Sequence, residues 1–149
     1  MDISPLCFYN NYNKMMNYST IRDLLSSYPG VETAYIFGSS VRGHGWKKTP
    51  DIDIGILFNE DVRDAEIEGE KIREDLERIL KKRIDVISLG DAPPLLQFEV
   101  IRNGRSIFER HKEKRVDFEV RSLIEFYDLE PLRRQFVKGI RRLIREGDF

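Results

Sequence analysis

Two aspartates, Asp51 and Asp53, lie two residues apart in an otherwise apolar run that ends at Phe58. In a β-strand, alternate side chains point to opposite faces, so both carboxylates would lie on one face while Ile52 and Ile54 point into a core. The two Cα atoms would be roughly 6.5 Å apart, from two rises of about 3.3 Å. The spacing therefore predicts a pair of carboxylates that can bind one metal cluster.

A glycine–serine pair, Gly38-Ser39, follows a second apolar run, Val31 to Phe37. Glycine permits a tight turn after a strand, and the start of a following helix offers free backbone N–H groups to an anion. Arg42 follows closely and carries a fork of donors that suits phosphate. Because Mg²⁺ prefers a few carboxylates together with substrate phosphates, the two runs together predict a triphosphate site beside a Mg²⁺ site.

These residues resemble a known signature. Gly38-Ser39, Arg42-Gly43 and Asp51-Ile52-Asp53 are similar to the motif of the minimal nucleotidyltransferase (MNT) family, the smallest branch of the DNA polymerase beta-like superfamily. The resemblance runs from about Ser19 to the C-terminus. The family adds a third carboxylate on a later strand, and Asp85 supplies a matching one.

The resemblance implies an α/β (α+β) fold, in which helices pack against a small mixed β-sheet. It also implies a nucleotidyltransferase that uses ATP and two Mg²⁺ ions, with Asp51, Asp53 and Asp85 as metal ligands and catalytic carboxylates. The nucleotide phosphates would contact the residues of the glycine–serine turn and its loop: Gly38, Ser39 and Arg42. Family members are commonly antitoxins paired with an all-helical HEPN-domain toxin, and some transfer AMP to a tyrosine of that toxin.

Other interpretations of the same residues stay open. Asp51 and Asp53 could be a solvent-facing strand start, Gly38-Ser39 a plain turn, and Arg42 a partner for a structural carboxylate. At the level of function, the chain could neutralise a toxin by binding alone, or it could be a transferase for a small molecule.

Composition limits the function classes. A chain of 149 residues fits one domain, and 40% hydrophobic residues argue against disorder. Although 34% of the residues are charged, the formal net charge is −1, which argues against a dedicated nucleic-acid binder. The single cysteine excludes an internal disulfide and fits a reducing cytoplasm, and no apolar run is long enough for a membrane helix.

The two ends of the chain differ from its middle. Residues 1–17 are rich in Asn and Tyr and predict a weakly ordered N-terminal extension or an arm that packs on a partner, so that the domain would span 18–149. Near the C-terminus, two helices are predicted. The first has one apolar face made of Val116, Val120, Leu123, Ile124 and Tyr127, and the second repeats Leu132, Phe136, Ile140 and Leu143 at helical spacing. The many cations of the second helix predict either a solvated face or a surface for an acidic partner or RNA.

Overall fold

The computed structural model describes residues 18–38 and 51–147. These residues form a mixed α/β structure, which confirms the predicted fold class. The elements in chain order are α1 (Tyr18–Ser26), β1 (Val31–Phe37), β2 (Ile52–Phe58), α2 (Ala65–Leu80), β3 (Ile84–Ser88), α3 (Pro94–Asn103), β4 (Arg105–Glu109), α4 (Lys112–Asp128) and α5 (Glu130–Glu146). The predicted extension of residues 1–17 lies outside the described residues, as does the segment 39–44, for which the sequence favours one or two helical turns.

The strands form one four-stranded sheet in the order β3-β2-β1-β4. Strand β1 runs antiparallel to both β2 and β4, whereas β2 and β3 are parallel. Strand β1 therefore ends at the same edge of the sheet at which β2 and β3 begin. This edge brings together Gly38, which follows β1, and the first residues of β2 and β3.

Each face of the sheet covers a separate hydrophobic core. Helices α1 and α2 bury the aliphatic face, whose fully buried members include Ile36, Ile54 and Ile56, against Ile21 and Ile72. Burial of each such side chain contributes roughly 1.5–3 kcal/mol. Helices α3 and α4 cover the opposite face, where the buried residues are Tyr35, Leu89, Val100 and Phe118. The second core is smaller, and it lies on the face that carries Asp53.

Polar contacts attach α4 to β1 across this second core. The hydroxyl of Tyr35 donates to Glu119 Oε1 at 2.6 Å, and Arg115 Nη1 donates to the same oxygen at 2.8 Å. Burial, together with this hydrogen bond to Glu119, raises the pKa of Tyr35. The phenol therefore stays neutral and serves as a fixed donor between the sheet and the helix.

Two details of the helix starts differ from the prediction. The sequence favours Ser19 or Thr20 as the cap of a short first helix, but both residues lie inside α1, which begins at Tyr18. The apolar and charged pattern of residues 61–82 predicts one helix over that range, but α2 begins at Ala65, because the side chain of Asp64 caps it by accepting from the N–H of Ile67 at 3.1 Å. Polar residues before a cap continue the charged pattern of a helix, so the pattern alone does not mark the start.

The C-terminal helices form as predicted, but among the described residues most of their apolar side chains are exposed. Four of the five residues of the face predicted for α4 are exposed: Val116, Val120, Ile124 and Tyr127. The residues that α4 buries are Phe118 and Ser122. Helix α5 buries no residue. Periodicity identifies an apolar face but not the surface that covers it. Within residues 18–38 and 51–147, no helix combines the length and apolar character that a membrane crossing requires.

The first core can be tested at Ile54, which is fully buried in β2 between its two neighbouring strands. We expect Ile54→Ala to lower the free energy of unfolding by about 3 kcal/mol, because it removes buried methylene groups and leaves a cavity. Ile67→Ala removes the same groups from a side chain that is 56% exposed and should cost about 0.5 kcal/mol or less. Urea unfolding of both variants measures the difference, and equal losses would contradict this core.

Candidate active site

The three predicted carboxylates lie at one edge of the sheet. Asp51 directly precedes β2, Asp53 is the second residue of β2, and Asp85 is the second residue of β3. Asp53 and Asp85 are paired residues in the parallel ladder, so their side chains leave the same face of the sheet. One residue, Ile52, separates Asp51 from Asp53, so Asp51 lies on that side as well, and its charge acts on Asp53. The structure thus brings together residues that are more than thirty positions apart in sequence.

The charges of these carboxylates interact. Burial raises the pKa of Asp53 above its ordinary value of 3.8, and the neighbouring charges of Asp85 and Asp51 raise it further. Asp85 is exposed, and Asp51 and Asp53 are half-buried. The central carboxylate is therefore both partly desolvated and flanked by like charges. A cation bound at this edge would relieve both effects.

Gly38 lies against the central carboxylate. Its backbone has a φ of +78°, a region that side chains with a Cβ disfavour. A Cβ at this position would overlap Asp53 Oδ2 and come within 3.2 Å of Asp53 Cγ. The glycine therefore lets the chain turn away from β1 directly over the carboxylate. The other two residues predicted to bind the nucleotide, Ser39 and Arg42, lie outside the described residues.

The donor set fits a hard divalent cation shared with a phosphate substrate. Carboxylate oxygens are ligands that Mg²⁺ prefers, and Mg²⁺ usually takes only one or two of them, completing its octahedron with water and substrate phosphates. In the described part of the chain, no group of three or more His, Cys, Asp or Glu side chains lies close enough together to hold a metal ion, and this includes Asp51, Asp53 and Asp85. Asp53 and Asp85, adjacent on one face and beside a glycine turn, are donors of the kind that such a shared site uses.

Two residues that the sequence analysis did not single out position the strands of the site. Gly55 lies on the same face as Asp53, and a Cβ there would come within 2.9 Å of Leu89 Cδ2. The buried side chain of Gln97 donates to the backbone carbonyl of Leu89 at 2.7 Å. These contacts fix the end of β3 against β2 and α3. For Gly55 the sequence offers a signal, because a glycine inside an apolar strand often marks a close approach of another group. For Gln97 it offers none.

The charge of Asp53 gives a first test of the site. Because the pKa of Asp53 is raised, the protonated form of this residue favours the folded state. Its contribution to the free energy of unfolding is therefore full below pH 3.8 and is lost as the pH rises through the raised pKa. Asp53→Asn, which stays neutral, should raise the thermal midpoint in metal-free buffer at pH 7 by about 1–2 °C, and the gain should shrink toward pH 4. Scanning calorimetry of both proteins between pH 4 and 8 measures it.

A matched control removes a carboxylate from the opposite end of β3. Asp91 lies three residues beyond that strand and accepts a hydrogen bond from Ser88 at 3.1 Å. Asp91→Asn should not raise the midpoint, because it relieves no crowding at the site. A lower midpoint for Asp53→Asn at pH 7 would show that the carboxylate is stabilised rather than strained by its neighbours.

The turn at Gly38 gives a second test. Gly38→Ala should lower the free energy of unfolding by about 1–3 kcal/mol, because alanine is strained at this φ and its Cβ meets Asp53. The same change at Gly139, a position in α5 with no atom within 4 Å of an added Cβ, should instead stabilise the protein by up to about 1 kcal/mol. Urea unfolding compares the two variants. Stabilisation by Gly38→Ala would mean that the turn does not lie over Asp53.

The chain is similar to known proteins in sequence. A family model described as Polymerase beta, Nucleotidyltransferase matches residues 19–113, a range that includes Gly38 and all three carboxylates. A protein of Methanocaldococcus jannaschii that is named as a candidate protein adenylyltransferase is 35% identical over 75 residues, which cover 50% of this chain and 77% of that protein.

The chain also shares its fold with solved structures. A chain of a toxin–antitoxin crystal structure with AMP-PNP matches with a TM-score of 0.71 and 24% identity, over 84% of this chain and 98% of that one. A chain of a structure of tri-AMPylated Shewanella oneidensis HEPN toxin in complex with MNT antitoxin matches with a TM-score of 0.66 and 23% identity, over 83% and 95%. Because the family model covers well over half of the chain, from α1 to the start of α4, the chain belongs to the polymerase beta nucleotidyltransferase family.

Proposed function

We propose that this protein is a Mg²⁺-dependent adenylyltransferase that transfers AMP from ATP to a tyrosine of a HEPN-domain toxin, and that it thereby acts as an antitoxin in the cytoplasm. The observation that carries the proposal is the pairing of Asp53 with Asp85 across parallel strands, beside Asp51 and under the turn at Gly38. The similarity to a candidate protein adenylyltransferase, and the fold shared with toxin–antitoxin structures that include AMP-PNP and an AMPylated toxin, support it.

In the proposed reaction, the hydroxyl oxygen of the acceptor tyrosine attacks the α-phosphorus of ATP. The bond between the α-phosphorus and the oxygen that bridges to the β-phosphate breaks, and pyrophosphate leaves with the electron pair of that bond. The acceptor hydroxyl loses its proton as the new phosphodiester forms. Such a displacement needs accurate positioning and neutralisation of phosphate charge more than covalent chemistry by the protein.

The three carboxylates have different roles in this proposal. Asp51 and Asp53 would hold Mg²⁺ against the nucleotide phosphates, and Asp85 would complete the site of a second ion on the acceptor side. When bound, the metal ions supply charge stabilisation and lower the pKa of the acceptor hydroxyl. Asp85 is the exposed member of the three, which supports its proposed role as acceptor of the proton from an incoming hydroxyl.

The phosphates would lie against the turn that follows β1. Gly38 lets the turn pass over Asp53 and would offer its backbone N–H to a phosphate, and Ser39 and Arg42 would add a hydroxyl and a guanidinium to the β- and γ-phosphates. In this proposal the transferase domain spans residues 18–149, and residues 1–17 are an N-terminal extension. Because partial desolvation and like charge raise the pKa of Asp53, metal binding should weaken as the pH falls and that carboxylate takes up a proton.

The reaction is tested by incubating the protein with Mg²⁺, ATP labelled at the α-phosphate and a co-expressed HEPN-domain partner. We expect label on a tyrosine of the partner, identified by mass spectrometry. Asp51→Asn/Asp53→Asn should lower the transfer rate at least about 1,000-fold, and Asp85→Asn about 100-fold or more, because they remove metal ligands and the proton acceptor. Asp91→Asn is the control with an intact site and should transfer normally.

The same experiment separates the alternatives. If the Asp51→Asn/Asp53→Asn variant still neutralises the partner's toxicity in cells and binds it normally, neutralisation is by binding alone. Label that appears only on an added small hydroxylated compound would assign a small-molecule transferase. Unchanged transfer by Asp85→Asn would remove Asp85 from the catalytic set and leave the other two carboxylates as the site.

A further inference from the structure

Strand β1 contains a β-bulge that buries an ionisable side chain. The pairing of β1 with β2 shifts register between Val31 and Thr33, so Glu32 is the extra residue at this point. The side chain of Glu32 is only 3% exposed, which is unusual for a glutamate. Bulges re-aim side chains and are common beside functional sites. This bulge lies at the end of the sheet opposite to Asp53, and it places a carboxylate beside the start of α4.

One of the two carboxylate oxygens of Glu32 is without a hydrogen bond. His111 Nδ1 lies 2.7 Å from Oε1. In the described part of the chain, Oε2 is buried and has no hydrogen-bond partner, and the ammonium of Lys114 lies 4.0 Å from it. Burying a charged oxygen without a donor costs free energy. The position therefore favours a donor that comes from outside the chain.

Glu32 is part of the wall of a cavity of about 220 Å³ between the end of β2 and α4. One water molecule takes up about 30 Å³ of liquid, so the cavity has space for a small organic molecule. Two apolar side chains, Leu57 and Phe58, form one part of its wall, and we call them the apolar wall. The rest of the wall is polar: Glu32, Asn59, Glu60, Lys114, Asp117 and Arg121. Apolar surface with a few converging polar groups is typical of a ligand site.

Helix α4 contributes a row of charges to this cavity. Lys114, Asp117 and Arg121 follow one another at spacings of three and four residues, so they lie on one side of the helix. Among residues 18–38 and 51–147, Asp117 and Arg121 form no ion pair, and the pair between Lys114 and Glu32 is the loose one at 4.0 Å. The cavity thus offers charges of both signs to a ligand.

From these observations we propose that the cavity binds a small molecule with a primary ammonium and a carboxylate group, as in an aliphatic α-amino acid. The ammonium would donate to Glu32 Oε2 and to Asp117, because an ammonium has three donors to share. The carboxylate would pair with Arg121 and Lys114, and the aliphatic side chain would lie on the apolar wall.

This site is distinct from the one proposed for AMP transfer. The whole of β2 separates Asp51, which precedes the strand, from Asn59, which follows it. Six rises of about 3.3 Å make the strand roughly 20 Å long. Binding in the cavity needs neither nucleotide nor metal, so it can be measured independently of the transfer reaction.

Three other ligands fit the cavity less well. A metal ion needs several donors in reach, and no group of three His, Cys, Asp or Glu side chains in the described ranges can hold one. The fork of a partner's arginine suits both oxygens of a carboxylate, but His111 already contacts Oε1 of Glu32. A partner's lysine would satisfy Oε2 but would leave Arg121 without a partner. A zwitterion satisfies both.

The test compares three compounds with related aliphatic chains. L-leucine carries both charged groups, isoamylamine lacks the carboxylate, and 4-methylpentanoate lacks the ammonium. Each is titrated into the full chain in neutral buffer without Mg²⁺ or ATP, and binding is followed by the NMR signals of the backbone amides. We expect leucine to bind at least about fivefold more tightly than isoamylamine, because it gains a charge-assisted contact. We expect 4-methylpentanoate to bind more weakly than either.

Variants of the cavity make the test specific. Glu32→Gln keeps the size of the side chain but removes its charge, and it should weaken leucine binding about tenfold or more. Arg121→Gln changes an exposed residue, so the fold is not at risk. It should weaken leucine binding to the level of isoamylamine and leave isoamylamine binding unchanged. Asp128→Asn removes an exposed carboxylate of α4 outside the cavity wall and is the matched control, with no expected change.

Three results would overturn the proposal. The first is the absence of leucine binding, which would mean that water alone satisfies Glu32. The second is equally tight binding of isoamylamine, which would leave a site for an ammonium group such as that of a partner's lysine. The third is leucine binding that both Glu32→Gln and Arg121→Gln leave unchanged, which would place the leucine site elsewhere on the protein.

Discussion

The structure depends on the register in which β2 pairs with β3, because this register makes two aspartates direct neighbours across the strands. Strand β2 pairs with β3 so that Asp53 lies beside Asp85, and the antiparallel β1 places Phe37 on the other side of Asp53. Like charges that neighbour each other across a sheet are unfavourable. The arrangement persists because the register is fixed elsewhere: the aliphatic residues of β1, β2 and β3 alternate into the core under α1 and α2, and a slip of one residue would expose them.

Contacts on the face of the sheet that α3 and α4 cover also hold β2 and β3 in this register. Gly55 leaves room for Leu89, and the carbonyl of Leu89 accepts the side chain of Gln97, so the end of β3 is held where Asp85 stays level with Asp53. The Tyr35 hydroxyl attaches α4 through Glu119. Both cores thus contribute to one local result, which is a cluster of carboxylates that the folded chain would avoid if stability alone mattered.

Much of this site could be predicted because it is local in sequence. The spacing of Asp51 and Asp53 follows from strand geometry, and the bounds of β1, Val31 and Phe37, were predicted correctly from the apolar run and the glycine after it. The partner of Asp53 could not be derived from spacing, since the register of β3 depends on side chains more than thirty positions away; Asp85 was identified by family resemblance. Gln97 gave no signal, because one buried glutamine in a helix looks like a surface residue until its partner is known.

In the C-terminal half of the chain, the helices could be predicted from the sequence but their packing could not. Periodicity in α4 and α5 predicted both helices but not which side each buries, because the pattern records that a face is apolar and not what lies against it. In α4 the buried residues are Phe118 and Ser122, while most of the more regular aliphatic face is exposed. Two costly features therefore stand out from an otherwise consistent chain: crowded carboxylates at one edge of the sheet and a glycine inside an uncovered apolar helix. Natural sequences agree with their folds except where function requires otherwise. The cation and phosphate of the proposed function would relieve the first of these costs, because they would neutralise the carboxylates that the strand register holds together.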